Sequence, residues 1–310
     1  MKKLLTTIAC LVAFASGVIS AQVAQYSLDM QPFSNVDISG PFKASIVRGT
    51  QYRVLMSVSE PYKPYVKCST EGSTLSIDLE EMRVPLDVRR MFRGKGTPDP
   101  VFSVIIYSPD LLQSVSLSGK AVLQDTEDIF DKARITFSLS ENSSVQSLSL
   151  STLVFRLDMK GKASADFKVS CRETRVDMAN SSSLSLDEQS EDSFYTIAGS
   201  SKSKVRSSTK RLTLTAKGNA SMTISGTGDG ATFDMASTSE VDASGFNVSD
   251  ADVRMTSVSR LSVSAANVLR VNLNGGSTLL FAGDPAVSID NIRSATMSRL
   301  NVGGSVSTRL

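Results

Sequence analysis

Two Arg-x-Asp tripeptides are the part of this sequence best suited to chemistry. They are Arg156-Leu157-Asp158 and Arg175-Val176-Asp177, and they stand 19 residues apart. If residues one such interval apart are stacked, the two carboxylates lie side by side with an arginine next to each. Two carboxylates at that distance can hold calcium or share a raised pKa. This arrangement is typical of β-helical lyases and hydrolases that act on acidic polysaccharides.

A purely structural interpretation fits the same four side chains. Each aspartate would be neutralised by its adjacent and diagonal arginines, and such a lattice needs no metal. No third acidic residue follows at the next two equivalent positions, which are Ala198 and Thr215. The sequence therefore favours the charge lattice, and catalysis at Asp158 and Asp177 is the alternative hypothesis.

A second group of charged residues lies in the proline-containing segment 83–100. Its cations include Arg89, Arg90, Arg93 and Lys95. The segment interrupts the surrounding pattern and is interpreted as a protruding basic loop. It is either a solvated insertion or a contact for an anionic glycan or surface polymer.

Missing residue types exclude several kinds of site. The sequence has no His and no Trp, so His-based catalytic triads, Cys-His pairs and His-ligated metals are ruled out. One Gly226-x-Gly228-Asp229-Gly230 run resembles a calcium-binding repeat, but such sites need several stacked copies, so we interpret it as a turn. The sequence predicts neither a metal nor a cofactor.

The element that positions these residues is a repeat running from about Val115 to Phe281. Its anchor positions are 17 to 22 residues apart: Leu117, Leu139, Met159, Met178, Gly199, Ala216, Met235, Met255 and Leu273. Apolar residues stand two positions before each anchor: Val115, Phe137, Leu157, Val176, Ile197, Leu214, Phe233, Val253 and Val271. Two positions after it come Gly119, Glu141, Gly161, Asn180, Ser201, Gly218, Ser237, Ser257 and Gly275. Four positions after it every residue is Ala or Ser.

These columns predict an all-β fold, a single-stranded parallel β-helix or β-solenoid with rungs of about 20 residues. All the offsets are even, so one face of an extended chain points inward. Right-handed winding follows from the crossover rule. The register also stacks outward charges of opposite sign: Asp234 on Arg254, Glu240 on Arg260, and Asp252 on Arg270.

The rest of the chain divides around this repeat. Residues 1–21 have a basic start and an apolar middle, the pattern of a secretory signal peptide. Residues 22–110 are β-rich and less regular, and we expect them to cap the first rung. Residues 111–310 are the repeats, continuous with that section. No second apolar run is long enough to span a membrane, so the mature chain is predicted to have no transmembrane segment.

Charge and cysteine content limit the partners. Of the 33 basic residues, two lie in the signal peptide, which leaves 31 against 31 acidic residues. This balance argues against nucleic acid. Cys68 and Cys171 remain in the mature chain. We interpret them as two separate thiols, although export would allow a disulfide.

Five stretches of the chain carry a family resemblance. They are Phe33-x-x-Val36-x-Ile38-Ser39-Gly40-Pro41-Phe42-Lys43, Ile46-Val47-Arg48-Gly49, Gly72-Ser73-Thr74-Leu75-Ser76-Ile77, Val104-x-Ile106-x-Ser108-Pro109-x-Leu111, and Val115-x-Leu117-Ser118-Gly119. Together they resemble the head GIN domain family of auto-transporter adhesins, over roughly residues 33–300. The resemblance implies an exported, β-helix-like protein.

The functional hypothesis is an exported, non-enzymatic surface or envelope protein that is adhesin-like and binds a glycan or another protein. The alternative is the polysaccharide lyase or hydrolase described above. Export would place the protein in the periplasm, on the outer surface or outside the cell.

Overall fold

The protein is an all-β solenoid built from stacked coils of about 19 residues, which confirms the predicted fold class. The computed structural model describes residues 22–300, so the predicted signal peptide lies outside the described residues. Within them, no helix has the length and apolar character needed to cross a membrane. The described residues divide into two compact units, with the boundary between Ile129 and Phe130. The hand of the winding stays a prediction.

The first unit consists of short strands, two 3-10 turns at Glu60–Tyr65 and Glu81–Arg83, and one short helix. Its elements are β1 (Val23–Asp29), β2 (Asn35–Gly40), β3 (Lys43–Arg48), β4 (Arg53–Ser59), β5 (Val66–Glu71), β6 (Thr74–Leu79), α1 (Leu86–Met91), β7 (Phe102–Ser108), β8 (Ser114–Gly119) and β9 (Val122–Leu123).

Parallel and antiparallel pairs are mixed in this unit, which explains why its sequence pattern is less regular. β4 pairs antiparallel with β1 and β7, while β3 is parallel to β7 and β9. β6 pairs antiparallel with β5 across the turn at Gly72, and β2 is parallel to β6 and β8. In β4, Val54, Met56 and Val58 alternate inward as expected for a strand, and all three are buried.

The second unit is the regular part of the solenoid. Its strands are β10 (Arg134–Leu139), β11 (Ser144–Ser151), β12 (Val154–Met159), β13 (Ser164–Ser170), β14 (Glu173–Met178), β15 (Ser183–Gln189), β16 (Asp192–Ile197), β17 (Lys202–Ala216), β18 (Ser221–Met235), β19 (Glu240–Met255), β20 (Arg260–Asn274), β21 (Thr278–Ala282), β22 (Ala286–Arg293) and β23 (Thr296–Arg299).

Every strand pair resolved in this unit is parallel, and each coil contributes two strand segments. β10, β12, β14 and β16 form one stack, while β11, β13, β15 and β17 form another. From β17 to β20, one long strand covers both positions, and β21 and β22 then pair separately with the two halves of β20. Inward residues such as Leu157 and Leu214 are fully buried. Each such side chain contributes about 1.5–3 kcal/mol, so the stacked coils supply an ample core.

The predicted register is right at most rungs and wrong by two residues at one of them. Val176 is paired with Tyr195, and Tyr195 with Leu214. The predicted occupant of that column, Ile197, instead lies between Met178 and Ala216. A slip of two residues keeps every side chain on its face, because side chains alternate with a period of two. Each side chain of this rung was therefore still assigned to the correct face, inward or outward.

The residues two positions after each anchor form the turns of the coils, and this turn column shows which register is correct. Its residues all have positive φ: Gly119, Glu141, Gly161, Asn180, Gly199, Gly218, Ser237, Ser257 and Gly275. Gly199 holds the position that the sequence analysis gave to Ser201. Two positions after each turn residue the side chain is small because it is buried, as at Ser143, Ser201 and Ser239. Each donates its hydroxyl hydrogen to the carbonyl three residues back, at 2.7–2.9 Å.

The predicted charge pairs confirm the register of the later rungs. Asp234 is paired with Arg254, Glu240 with Arg260, and Asp252 with Arg270. The last pair forms an ion pair of 3.2 Å between Asp252 Oδ1 and Arg270 Nη1.

Candidate ligand-binding site

The structure brings together the four residues proposed for catalysis in the second unit. Asp158 is the direct strand partner of Asp177, and Arg156 is the partner of Arg175. Arg156 Nε lies 3.1 Å from Asp158, and Arg156 Nη2 lies 3.8 Å from Asp177. Arg175 turns away to Glu173 and stacks over the ring of Phe194 at 4.9 Å.

This geometry is that of a charge lattice centred on Arg156. The hydrogen bond from Arg156 to Asp158 raises the pKa of the guanidinium above its usual value. The side chains are partly exposed, between 29% and 50%, so each pair contributes at most about 1 kcal/mol. No group of three or more His, Cys, Asp or Glu residues able to hold a metal occurs among residues 22–300. Catalysis at Asp158 and Asp177 stays an untested prediction.

The basic segment of the first unit is partly helical, where the sequence predicted a loop. Pro85 precedes α1 at its N-cap position, Asp87 lies in the first turn, and Arg89 and Arg90 lie in the last. Proline at a helix start, followed by an acid and then bases, favours a helix and complements its dipole. These residues could have predicted the helix from the sequence. The many charged residues and prolines of the segment favoured a loop instead.

Aromatic packing holds this segment against the rest of the first unit. The ring of Tyr62 lies 5.4 Å from that of Phe92 and 5.0 Å from that of Phe102. Val84 is buried beside them. The side chain of Arg89 is used internally, because it donates hydrogen bonds to the carbonyls of Val84 and Glu81. Of the four predicted ligand-binding cations, Arg89 therefore acts on the segment itself.

The other three predicted cations are available to a ligand. Arg90, Arg93 and Lys95 are exposed. None of the three has a side-chain hydrogen bond or an ion pair within the described part of the chain. The segment 83–100 contains five cations against two acidic residues, Asp87 and Asp99. It therefore carries a net charge of +3.

A cleft of about 310 Å³ opens beside these cations. Its lining includes three aromatic rings, three cations and one acidic residue: Tyr62, Phe92, Phe102, Arg89, Arg93, Lys120 and Glu81. Burial raises the pKa of Tyr62, while the nearby guanidiniums of Arg89 and Arg93 act in the opposite direction. The cleft thus joins an aromatic wall to positive charge, which suits a ligand that is apolar in one part and anionic in another.

A buried polar cluster in the second unit was missed by the sequence analysis. Glu188 is 1% exposed, and its Oε1 accepts hydrogen bonds from Ser193 at 2.8 Å and Ser207 at 2.7 Å. Its strand neighbours are Val169 and Ser207. The alternation of Leu184, Leu186 and Glu188 could have revealed it, since all three share one parity and hence point inward.

Two further groups in this cluster have no hydrogen-bond partner among residues 22–300. They are Glu188 Oε2 and the hydroxyl of Tyr195. Burial raises the pKa of Tyr195 well above its usual value, and the nearby Glu188 adds to the effect. Cys171 lies 3.1 Å from the Thr174 hydroxyl, and burial raises its pKa to about 11. Both Cys68 and Cys171 are free thiols. The cluster is closed to solvent, so its effect is on the stability of the coil.

Comparison with known proteins identifies one family and several similar folds. The family model described as "Putative auto-transporter adhesin, head GIN domain" matches residues 32–207 and 190–285. A structure of a "putative lipid binding protein" from Parabacteroides distasonis is 15% identical, with TM-score 0.51, covering 90% of this chain and 97% of that one. A "putative adhesin" from Parabacteroides merdae is 14% identical, with TM-score 0.49, covering 90% and 97%. No curated protein matches this chain.

Proposed function

This chain belongs to the head GIN domain family of auto-transporter adhesins, and on that premise we propose that it is an exported, non-enzymatic attachment protein. Its ligand is an anionic surface, and the contact is made by the basic segment 83–100 of the first unit. The acidic glycan of the sequence analysis is one such surface.

The observation that carries this proposal is that three cations without an ion-pair partner fall within six consecutive residues, 90–95. Several cations of the second unit instead lie 3.2 Å or less from a carboxylate: Arg156, Arg175, Lys210, Arg211 and Arg270. In the basic segment, Arg90, Arg93 and Lys95 lack such a partner in the described chain. Unneutralised charge of one sign attracts and orients a partner of the opposite sign.

Charge reversal at the segment tests the proposal. We expect the triple variant Arg90→Glu, Arg93→Glu, Lys95→Glu to bind a carboxylate-terminated monolayer at least about tenfold more weakly than the parent, a loss of about 1.4 kcal/mol. The parent should not bind a hydroxyl-terminated monolayer, and its affinity for the carboxylate monolayer should fall as salt is added. Surface plasmon resonance with the full mature chain measures all three.

A matched control reverses three exposed lysines of the second unit, with Lys160→Glu, Lys162→Glu and Lys168→Glu. This variant has the same net charge as the segment variant but leaves the basic segment unchanged. Its binding should therefore stay close to that of the parent. Equal losses in both triple variants would mean that only net charge matters. Equal binding of the parent to the carboxylate and hydroxyl monolayers would refute the proposal.

A further inference from the structure

The basic segment 83–100 and the residue just before it, Met82, also expose large apolar side chains. Met82 is 99% exposed, Leu86 65% and Met91 59%. They fall within ten consecutive residues, in a chain that buries most of its large apolar side chains. Arg90 is four positions from Leu86, and residues at that spacing are neighbours on a helix surface. Cations and apolar groups are therefore interleaved on one short stretch.

A hydrated polysaccharide does not account for these apolar groups. Their transfer out of water is favourable only if the partner also offers apolar contact. A folded protein partner is a poorer match, because the stretch 81–96 has no Trp or Tyr, the residues that share protein hot spots with arginine. Here the aromatic residues Tyr62, Phe92 and Phe102 pack on one another instead.

An anionic lipid surface offers both contacts at once. Interfacial helices bury apolar side chains in the acyl boundary while lysines and arginines face anionic headgroups. Methionine suits this role because its unbranched side chain adapts to an irregular apolar environment. The two acidic residues of the stretch 81–96, Glu81 and Asp87, are outnumbered by its five cations: Arg83, Arg89, Arg90, Arg93 and Lys95.

We propose that the segment 81–96 binds an anionic lipid bilayer by inserting Met82, Leu86 and Met91 while Arg90, Arg93 and Lys95 contact the headgroups. This inference rests on the proposed function and names the surface that the same site recognises. The cleft beside the segment adds Lys120 to the cations that face the headgroup layer.

Vesicle binding by the full mature chain tests this inference. We expect the parent to sediment with phosphatidylcholine vesicles that contain phosphatidylglycerol, and not with vesicles of phosphatidylcholine alone. The variant Met82→Ser, Leu86→Ser, Met91→Ser keeps every cation and should bind the anionic vesicles at least about tenfold more weakly. The control variant Leu153→Ser, Val258→Ser removes apolar groups of similar exposure, 58% and 54%, and should bind like the parent.

The outcomes separate this inference from the proposed function. A serine triple variant that loses vesicles but still binds the carboxylate monolayer is folded and supports insertion. A parent that binds the carboxylate monolayer but no vesicles overturns insertion and leaves the proposed function standing. Vesicle binding that the serine triple variant retains in full shows attraction by charge alone, which also overturns insertion. A parent that binds neither surface overturns both.

Discussion

Replacing Glu188 with alanine is expected to lower the free energy of unfolding by about 2–4 kcal/mol. Ser207 donates to Glu188 Oε1 and has no other side-chain partner in the described residues. Its buried hydroxyl would lose its hydrogen-bond acceptor, and a cavity would open beside it. Ser193 would lose less, because Ser190 and Thr209 lie 2.7 and 3.2 Å from its hydroxyl. Urea unfolding followed by circular dichroism gives the value.

Two other variants show whether the cluster causes the loss. Glu188→Gln keeps an acceptor oxygen in place and should cost less than Glu188→Ala. Asp187→Ala removes the adjacent but outward carboxylate, which lies 3.9 Å from Arg206, and should cost at most about 1 kcal/mol. If Glu188→Ala and Asp187→Ala are equally mild, the buried network does not stabilise the coil as described.

Replacing Gly199 with alanine is expected to cost about 2–4 kcal/mol. Gly199 has φ +73°, and a Cβ there would lie 2.6 Å from the carbonyl oxygen of Asn180 on the previous rung. The substitution adds both a left-handed backbone penalty and a clash with a backbone atom that cannot move without disturbing the stack. The same urea measurement applies.

Gly72 is the matched control, because it isolates the backbone penalty. Its φ is +57°, and nothing lies within 4 Å of the position of a Cβ. Gly72→Ala should therefore cost only about 1–2 kcal/mol. A loss at Gly199 no larger than the loss at Gly72 would contradict the close stacking of the turn column.

These two sites also show what the sequence could and could not reveal about the fold. Leu157 and Val176 were placed correctly because apolar residues recur there at a constant even offset. The slip at Tyr195 occurred because Ser201 and Ser203 are both small and share one parity, so either satisfies the small column. Only the glycine at 199 distinguishes the two registers, through its positive φ. Glu188 was missed because a carboxylate contradicts the apolar pattern that defines the interior.

The candidate site rests partly on the sequence. Arg90, Arg93 and Lys95 were proposed as ligand-binding residues from charge alone, because a cluster of cations is visible in a sequence, and their role stays a prediction. The internal role of Arg89 depends on the carbonyl groups that its side chain reaches, and these are set by the fold. Exposed residues such as Met82 could not be told from core residues, since a segment without periodicity gives no face to assign.

A fluorophore at position 91 tests most directly whether the basic segment docks on an anionic lipid surface. In Met91→Cys, an environment-sensitive label can be attached selectively, since burial raises the pKa of Cys68 to about 12 and that of Cys171 to about 11 and thiols react as thiolates. Anionic vesicles should shift the emission of this label to the blue, while the same label on Leu153→Cys should not respond. An unchanged spectrum at position 91 in the presence of anionic vesicles would contradict docking of the basic segment on a lipid surface.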